Sequence, residues 1–96
     1  MKVLATNESA SQYSCGFSKV VEFENGKRFK IVHKTGNCFS WTKVYVMLPD
    51  LSWAEVANEF DLGSVSINYV TDKDRKVAEM VTIYDKAVSY IKAVFL

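Results

Sequence analysis

Few side chains in this sequence could act as nucleophiles, bases or metal ligands: Cys15, Cys38 and the single histidine, His33. A tight turn at Thr35-Gly36 would place His33 opposite Cys38 on neighbouring strands, which suggests a cysteine nucleophile activated by histidine. Such catalysis also needs a group that orients the base and donors that stabilise developing charge. No motif supplies either. A small enzyme using Cys38 and His33 is therefore the least favoured function.

The same side chains are the candidate ligands for a metal ion. Four residues separate His33 from Cys38, and this spacing lacks the paired ligands typical of zinc sites. Asp72 and Asp74 resemble a carboxylate pair, but acids at the start of a helix are explained by its dipole and exposed amides. The four glycines are isolated and form no phosphate-binding motif. We expect no metal and no cofactor.

The composition predicts one folded domain over residues 1–96. Hydrophobic residues make up 49% of the chain and charged residues 24%, a balance typical of globular domains rather than disordered segments. A chain of this length supports one core. No stretch resembles a signal peptide or a membrane-spanning helix. We therefore expect a cytoplasmic protein whose two cysteines stay reduced.

A β-hairpin is the strongest local signal. The pair Asn25-Gly26 favours the positive φ angles of a two-residue type I′ turn. It separates residues 19–24 from residues 27–34, and both segments are rich in β-branched and aromatic side chains. Residues 38–48 have the same composition. They predict a long third strand.

The second half of the chain predicts two helices and a further strand. Ser52 and Glu55 have the spacing of a capping box, which predicts a short helix over residues 52–60. Residues 64–70 alternate between apolar and polar side chains, as in a half-buried strand. Apolar residues spaced by three and four predict an amphipathic helix over residues 72–94. Its predicted buried stripe is Val77, Met80, Val81, Tyr84, Val88, Ile91 and Phe95.

Together these elements predict a two-layer α+β fold. We expect the order β-β-β-α-β-α, with a four-stranded antiparallel sheet and the helices at 52–60 and 72–94 packed on one of its faces. Residues 1–17 should add only a short strand at 2–5 and a polar loop.

The predicted register divides the sheet into two unlike faces. Cross-strand partners share a face, so Val20 lies opposite Ile31 on the helix-covered face and Lys30 lies opposite Trp41 on the other. That other face combines large apolar rings with basic side chains, whereas an uncovered face is usually polar. The predicted binding residues on it are Lys19, Phe23, Arg28, Lys30, Phe39, Trp41, Lys43 and Tyr45.

A face of this composition predicts a binding surface. Aromatic residues and Arg are enriched at protein interfaces, and residues 19–43 carry six basic and two acidic side chains. The favoured function is non-enzymatic binding of a larger, acidic protein partner, or a homodimer built on this face. Small domains without motifs are also typical of inhibitors or adaptors that phages and mobile elements direct against host machinery. Cover by the N-terminal segment, through Tyr13 and Phe17, would remove the surface.

Single-stranded nucleic acid is the main alternative partner. Bases stack on aromatic rings while Lys and Arg follow the phosphates, and the residue types fit this mode. The formal net charge is only +1, the element order differs from that of an OB-fold, and no RNP-type aromatic motif is present. The sequence therefore favours a protein partner. No membrane association is expected.

Overall fold

The computed structural model describes residues 1–36, 38–63 and 72–96. Five antiparallel strands of this part of the chain lie side by side in sequence order, and a long helix packs on one face of their sheet. The predicted α+β class is confirmed, with one strand more than expected, and the predicted strand at 64–70 lies outside the described residues. The elements are β1 Lys2–Ala10, β2 Cys15–Glu22, β3 Arg28–Thr35, β4 Ser40–Met47, β5 Trp53–Asn58, α1 Glu59–Leu62 and α2 Lys73–Val94.

The N-terminal residues form a full strand instead of a short strand and a loop. β1 pairs with β2 as far as Ala10, which lies opposite Cys15. The Ser11 hydroxyl accepts a hydrogen bond from the Ser14 amide at 3.1 Å and closes the turn between the two strands. β1 is an edge strand that is exposed along almost its whole length. Because it buries neither face, its polar sequence shows no apolar alternation.

The turn between β2 and β3 is longer than the sequence predicted. Val21 pairs with Phe29, whereas a two-residue turn at Asn25-Gly26 would place it opposite Lys30. The Phe23 carbonyl accepts a hydrogen bond from the Gly26 amide at 2.9 Å, and Gly26 has a φ of 83°. This geometry is typical of a three-residue turn that ends in a glycine bulge. Because side chains alternate, the change of one residue exchanges the two faces of β2.

The turn between β3 and β4 lies two residues further along the chain than predicted, because Thr35 pairs with Ser40 and the Gly36 amide donates a hydrogen bond to the Phe39 carbonyl at 2.9 Å. β4 starts at Ser40, so Phe39 precedes the strand. Trp41 pairs with Lys34 rather than with Lys30. This displacement along β3 is an even number of residues, and side chains on a strand repeat every two residues. Trp41 and Lys30 therefore keep their predicted face although they are no longer partners.

The prediction of a helix over residues 52–60 is wrong, because most of this segment is a β-strand. The Asp50 carboxylate accepts a hydrogen bond from the Ser52 amide at 3.0 Å, and Leu51 adopts a φ of 70°. These residues form a hairpin turn, and the chain then continues as β5, hydrogen-bonded to β4. Pairing with the free edge of β4 outweighs the local helix signal, since helix propensity is a weak preference that tertiary context overrides.

A short helix begins after β5. The Asn58 side chain accepts a hydrogen bond from the Phe60 amide at 3.0 Å, and the Asp61 carboxylate accepts one from the Asn58 amide at 2.9 Å. This capping box replaces the predicted box of Ser52 and Glu55. α1 has only four residues. It lies at the end of β5, and α2 forms the layer over the sheet.

α2 confirms the predicted C-terminal helix, but it is rotated from the predicted orientation. Val77 and Val81, expected in the buried stripe, are 40% and 55% exposed. Ile83 and Ala87, which the predicted stripe omitted, are buried, because this side of the helix lies against β2 and β3. The buried positions along α2 are Lys76, Met80, Ile83, Ala87 and Ile91.

The N-terminal segment does not cover the face of the sheet opposite α2. Phe17 is buried on the α2 side, with its ring edge-on to that of Tyr84. Tyr13 is 54% exposed in the turn after β1. Among residues 1–36, 38–63 and 72–96, no second layer lies on the face opposite α2. No helix in these ranges is long and apolar enough to cross a membrane.

Candidate functional site on the open face of the sheet

The face of the sheet opposite α2, which we call the open face, is built by alternate residues of the strands. Arg28 and Lys30 of β3, with Trp41, Lys43 and Tyr45 of β4, lie on it as predicted. The rings of Trp41 and Tyr45 are partly exposed. The open face comprises Lys2, Ala5, Asn7, Ser9, Gly16, Ser18, Val20, Glu22, Arg28, Lys30, Val32, Lys34, Trp41, Lys43, Tyr45, Met47, Trp53, Glu55 and Asn58.

Three predicted binding residues lie elsewhere. The Lys19 ammonium is on the α2 side, 2.9 Å from the Glu8 carboxylate and 4.5 Å from the centre of the Tyr84 ring. Phe23 is 4% exposed and belongs to the core. Both corrections follow from the longer turn between β2 and β3, which exchanged the faces of β2. Phe39 lies in the turn before β4 and is 49% exposed.

The centre of the open face is a lysine held over two aromatic rings. The Lys30 ammonium lies 5.1 Å from the centre of the Tyr45 ring and 5.2 Å from that of Trp53. The predicted contact of Lys30 with Trp41 is wrong, because the register of β3 and β4 places Tyr45 opposite Lys30. Sequence reasoning missed Trp53 by assigning it to a helix. Asp50 and Ser52 just before it are a turn signal that could have indicated the hairpin.

Two ion pairs flank this centre. The Arg28 Nε lies 3.3 Å from a Glu22 carboxylate oxygen, and the Lys43 Nζ lies 3.1 Å from one of Glu55. The Glu55 carboxylate accepts a hydrogen bond from Lys43 and so raises the pKa of the Lys43 ammonium. Both acids of the open face are thus engaged with cations of the same face.

The remaining cations of the open face have no such partner. Within the described part of the chain, neither Lys30 nor Lys34 forms an ion pair. Lys34 is exposed, and Lys30 is partly buried among the rings. The open face therefore carries an excess of positive charge around its aromatic side chains.

The side chains considered for catalysis lie on the α2 side of the sheet or outside it. His33 is 2% exposed, with Nδ1 2.9 Å from the Thr42 hydroxyl and Nε2 2.8 Å from the Thr35 hydroxyl. Burial lowers the pKa of His33. Cys38 is exposed in the turn, and Thr42 is the residue opposite His33. The predicted opposition of His33 and Cys38 is wrong because the turn between β3 and β4 lies two residues further along the chain than Thr35-Gly36.

Cys15 lies next to the buried polar group formed by His33, Thr35 and Thr42. It lies opposite Thr35 and is 3% exposed. Burial raises the pKa of the Cys15 thiol, an effect that the Lys76 ammonium partly offsets. A raised pKa disfavours the thiolate, which is the nucleophilic form. Within residues 1–36, 38–63 and 72–96, no group of three or more His, Cys, Asp or Glu residues could hold a metal ion.

Comparison of the chain with models of protein families, with curated proteins and with solved structures finds no match. The function must therefore be inferred from the residues of this chain. The open face is the feature on which an inference can be built, because it brings partly exposed aromatic rings together with cations that form no ion pair among the described residues.

Proposed function

We propose that this protein is a non-enzymatic binding module that engages an acidic surface of a larger protein through its open face. The observation that carries the proposal is the cluster of partly exposed Trp41, Tyr45, Met47 and Trp53 among basic side chains. An uncovered sheet face is normally polar. Aromatic residues and Met are the types enriched in protein interfaces, and Trp, Tyr and Arg dominate their binding energy.

Charge indicates the chemistry of the partner. Glu22 and Glu55 are already paired with cations of the open face, whereas Lys30 and Lys34 have no ion pair within the described ranges. An acidic surface would complement this excess. Complementary charge accelerates association and suppresses wrong partners more than it adds affinity. The aromatic cluster would supply most of the affinity.

The geometry of Lys30 favours a protein over a nucleic acid. Its ammonium lies over the rings of both Tyr45 and Trp53, so the cation occupies ring surface on which a base would stack. The same contacts hold the side chains in place before binding, which lowers the entropic cost of association. A rigid face on a small domain suits an inhibitor or adaptor, which acts by occupying a partner's surface.

The test compares wild-type protein with the double variant Trp41→Ala/Lys30→Ala in quantitative affinity capture from extracts of the source cells. We expect the double variant to lose a specific acidic partner while it remains folded, with a native-like circular dichroism spectrum and a cooperative thermal transition. Lys73→Ala, which removes an exposed cation from α2, is the matched control and should retain the partner. Equal capture by all three proteins would refute the proposal.

Two further measurements separate the alternatives. Binding of a fluorescent single-stranded oligonucleotide that weakens steeply with salt, and is lost in the double variant, would replace the protein partner with nucleic acid. Sedimentation that shows a wild-type dimer and a monomeric double variant would replace it with a second copy of the chain.

A further inference from the structure

The open face contains a trough at the end of the sheet near the turn between β1 and β2. Ser9, Gly16, Lys34 and Trp41 are consecutive neighbours in one row across β1 to β4. Ser9 and Gly16 are small, whereas Lys34 and Trp41 are large, so the surface steps down between β3 and β2. The resulting trough has a volume of about 340 Å³, and its lining also includes Asn7, Ser18 and Val32.

Backbone packing keeps the floor of the trough free of side chains. A Cβ at Gly16 would lie only 2.9 Å from the carbonyl oxygen of His33 on β3. Real Cβ atoms almost never approach a backbone atom so closely, so any other residue at Gly16 would force the strands to shift. The bare floor of the trough is thus a consequence of how closely β2 and β3 approach, whereas the side chains of Lys34 and Trp41 form its wall.

The lining of the trough matches a carboxylate on a short carbon chain. The hydroxyls of Ser9 and Ser18 and the carboxamide of Asn7 can donate hydrogen bonds, and Lys34 supplies a cation that has no ion pair among the described residues. Trp41 provides an apolar wall. Hydrogen bonds between charged groups are about twice as strong as neutral ones. Ligand pockets usually span about 300–1,000 Å³, so this trough has room for one side chain rather than a long peptide.

We infer that the trough is the specificity pocket of the open face and receives an Asp or Glu side chain of the acidic partner. The carboxylate pairs with Lys34 and accepts hydrogen bonds from the serine hydroxyls, while its methylene groups lie against Trp41. This inference rests on the proposed function. It extends that function by assigning the recognition of acidic residues to the trough beside Lys34. The aromatic side chains around Lys30 then serve as the apolar anchor.

The direct test is an NMR titration of the intact protein with N-acetyl-glutamate amide, using N-acetyl-glutamine amide as the uncharged counterpart. We expect the glutamate probe to shift the amides of Gly16 and Ser18 and the indole N–H of Trp41, and to bind about tenfold more tightly than the glutamine probe. Equal responses to the two probes, or shifts confined to Lys30 and Tyr45, would overturn the inference.

Two variants examine the pocket itself. Lys34→Met removes the cation but keeps the chain length, and Ser18→Leu fills the trough; each should abolish the glutamate-dependent shifts. Lys73→Met on α2 is the control for loss of charge and should leave them unchanged. Tighter binding of a phosphoserine probe than of the glutamate probe would contradict the assignment of a carboxylate.

Partner capture distinguishes failure of this inference from failure of the proposed function. If Lys34→Met and Ser18→Leu retain full capture while Trp41→Ala/Lys30→Ala loses it, the pocket assignment is wrong and the binding face stands. If all of these variants retain full capture, both proposals are wrong. The combined proposal expects Lys34→Met to lower affinity about tenfold, since it removes one charge-assisted contact.

Discussion

The ammonium of Lys30 lies 5.1 Å from the centre of the ring of Tyr45, its directly opposed partner on the neighbouring strand. The register of β3 and β4 places the two residues directly opposite each other and so brings their side chains within reach of this contact. The same ammonium also lies 5.2 Å from the centre of the Trp53 ring, on β5 beyond β4. Three adjacent strands therefore position one cation at the centre of the open face.

Replacing this cation should cost a small, measurable amount of stability. Lys30→Met removes two cation–π contacts, each worth about 0.5–1 kcal/mol at exposed sites. We expect the free energy of unfolding, measured in urea by tryptophan fluorescence, to fall by about 1 kcal/mol. Lys34→Met is the matched control on the same strand and should change it by less than about 0.5 kcal/mol. An equal effect of the two substitutions would show that Lys30 makes no special contact.

The register of β2 and β3 can be tested by substituting Phe23. In the observed register Phe23 is in the core, with its ring 5.7 Å from that of Phe29. Phe23→Ala should therefore lower the free energy of unfolding by about 3–5 kcal/mol. Phe39→Ala, at a site that is 49% exposed, should have a much smaller effect. Similar small losses for both variants would support the two-residue turn that the sequence predicted.

Stability should decrease in mildly acidic solution because of His33. Burial lowers its pKa in the folded protein, so the unfolded chain binds more protons once the pH falls below the ordinary histidine value of about 6.5. The contribution of His33 to the free energy of unfolding should be constant above this pH and fall as the pH decreases toward the lowered pKa, with a slope of at most about 1.4 kcal/mol per pH unit.

The variant that isolates this effect is His33→Gln, which can still contact the hydroxyls of Thr35 and Thr42 but cannot be protonated. His33 is the single histidine of the chain, so the slope just below pH 6.5 should be absent in the variant. The comparison concerns slopes, and a uniform loss of stability in His33→Gln does not affect it. Identical slopes in the two proteins would contradict a depressed pKa at His33.

The two cysteines should differ sharply in reactivity. Cys38 is exposed and free, whereas Cys15 is buried and its thiol pKa is raised by burial. Since the thiolate is the reactive form, an aromatic disulfide reagent should modify one thiol rapidly in the native protein and the second only after unfolding. Cys38→Ser should eliminate the rapid phase. Rapid modification of Cys38→Ser would show that Cys15 is accessible.

Much of the open face could be predicted because side-chain alternation within a strand is a local property. Arg28, Lys30, Trp41, Lys43 and Tyr45 lie on the open face as expected, since strand alternation fixes which residues share a face within each strand. The same alternation places Lys34 on this face, two residues beyond Val32, although the predicted binding residues omitted it. Trp53 could not be found this way, because its position depends on the pairing of β4 with β5.

The sequence by itself determined the α+β class, the hairpin around Asn25-Gly26, the long C-terminal helix and the side chains available for binding. These properties depend on interactions between residues a few positions apart, such as turn preferences and helical periodicity. Only the tertiary structure decided the register of the strands, the strand at Trp53–Asn58 and the rotation of α2. The physical reason is that one added residue in a turn exchanges the two faces of a strand, and that burial against distant strands outweighs a weak local preference for helix.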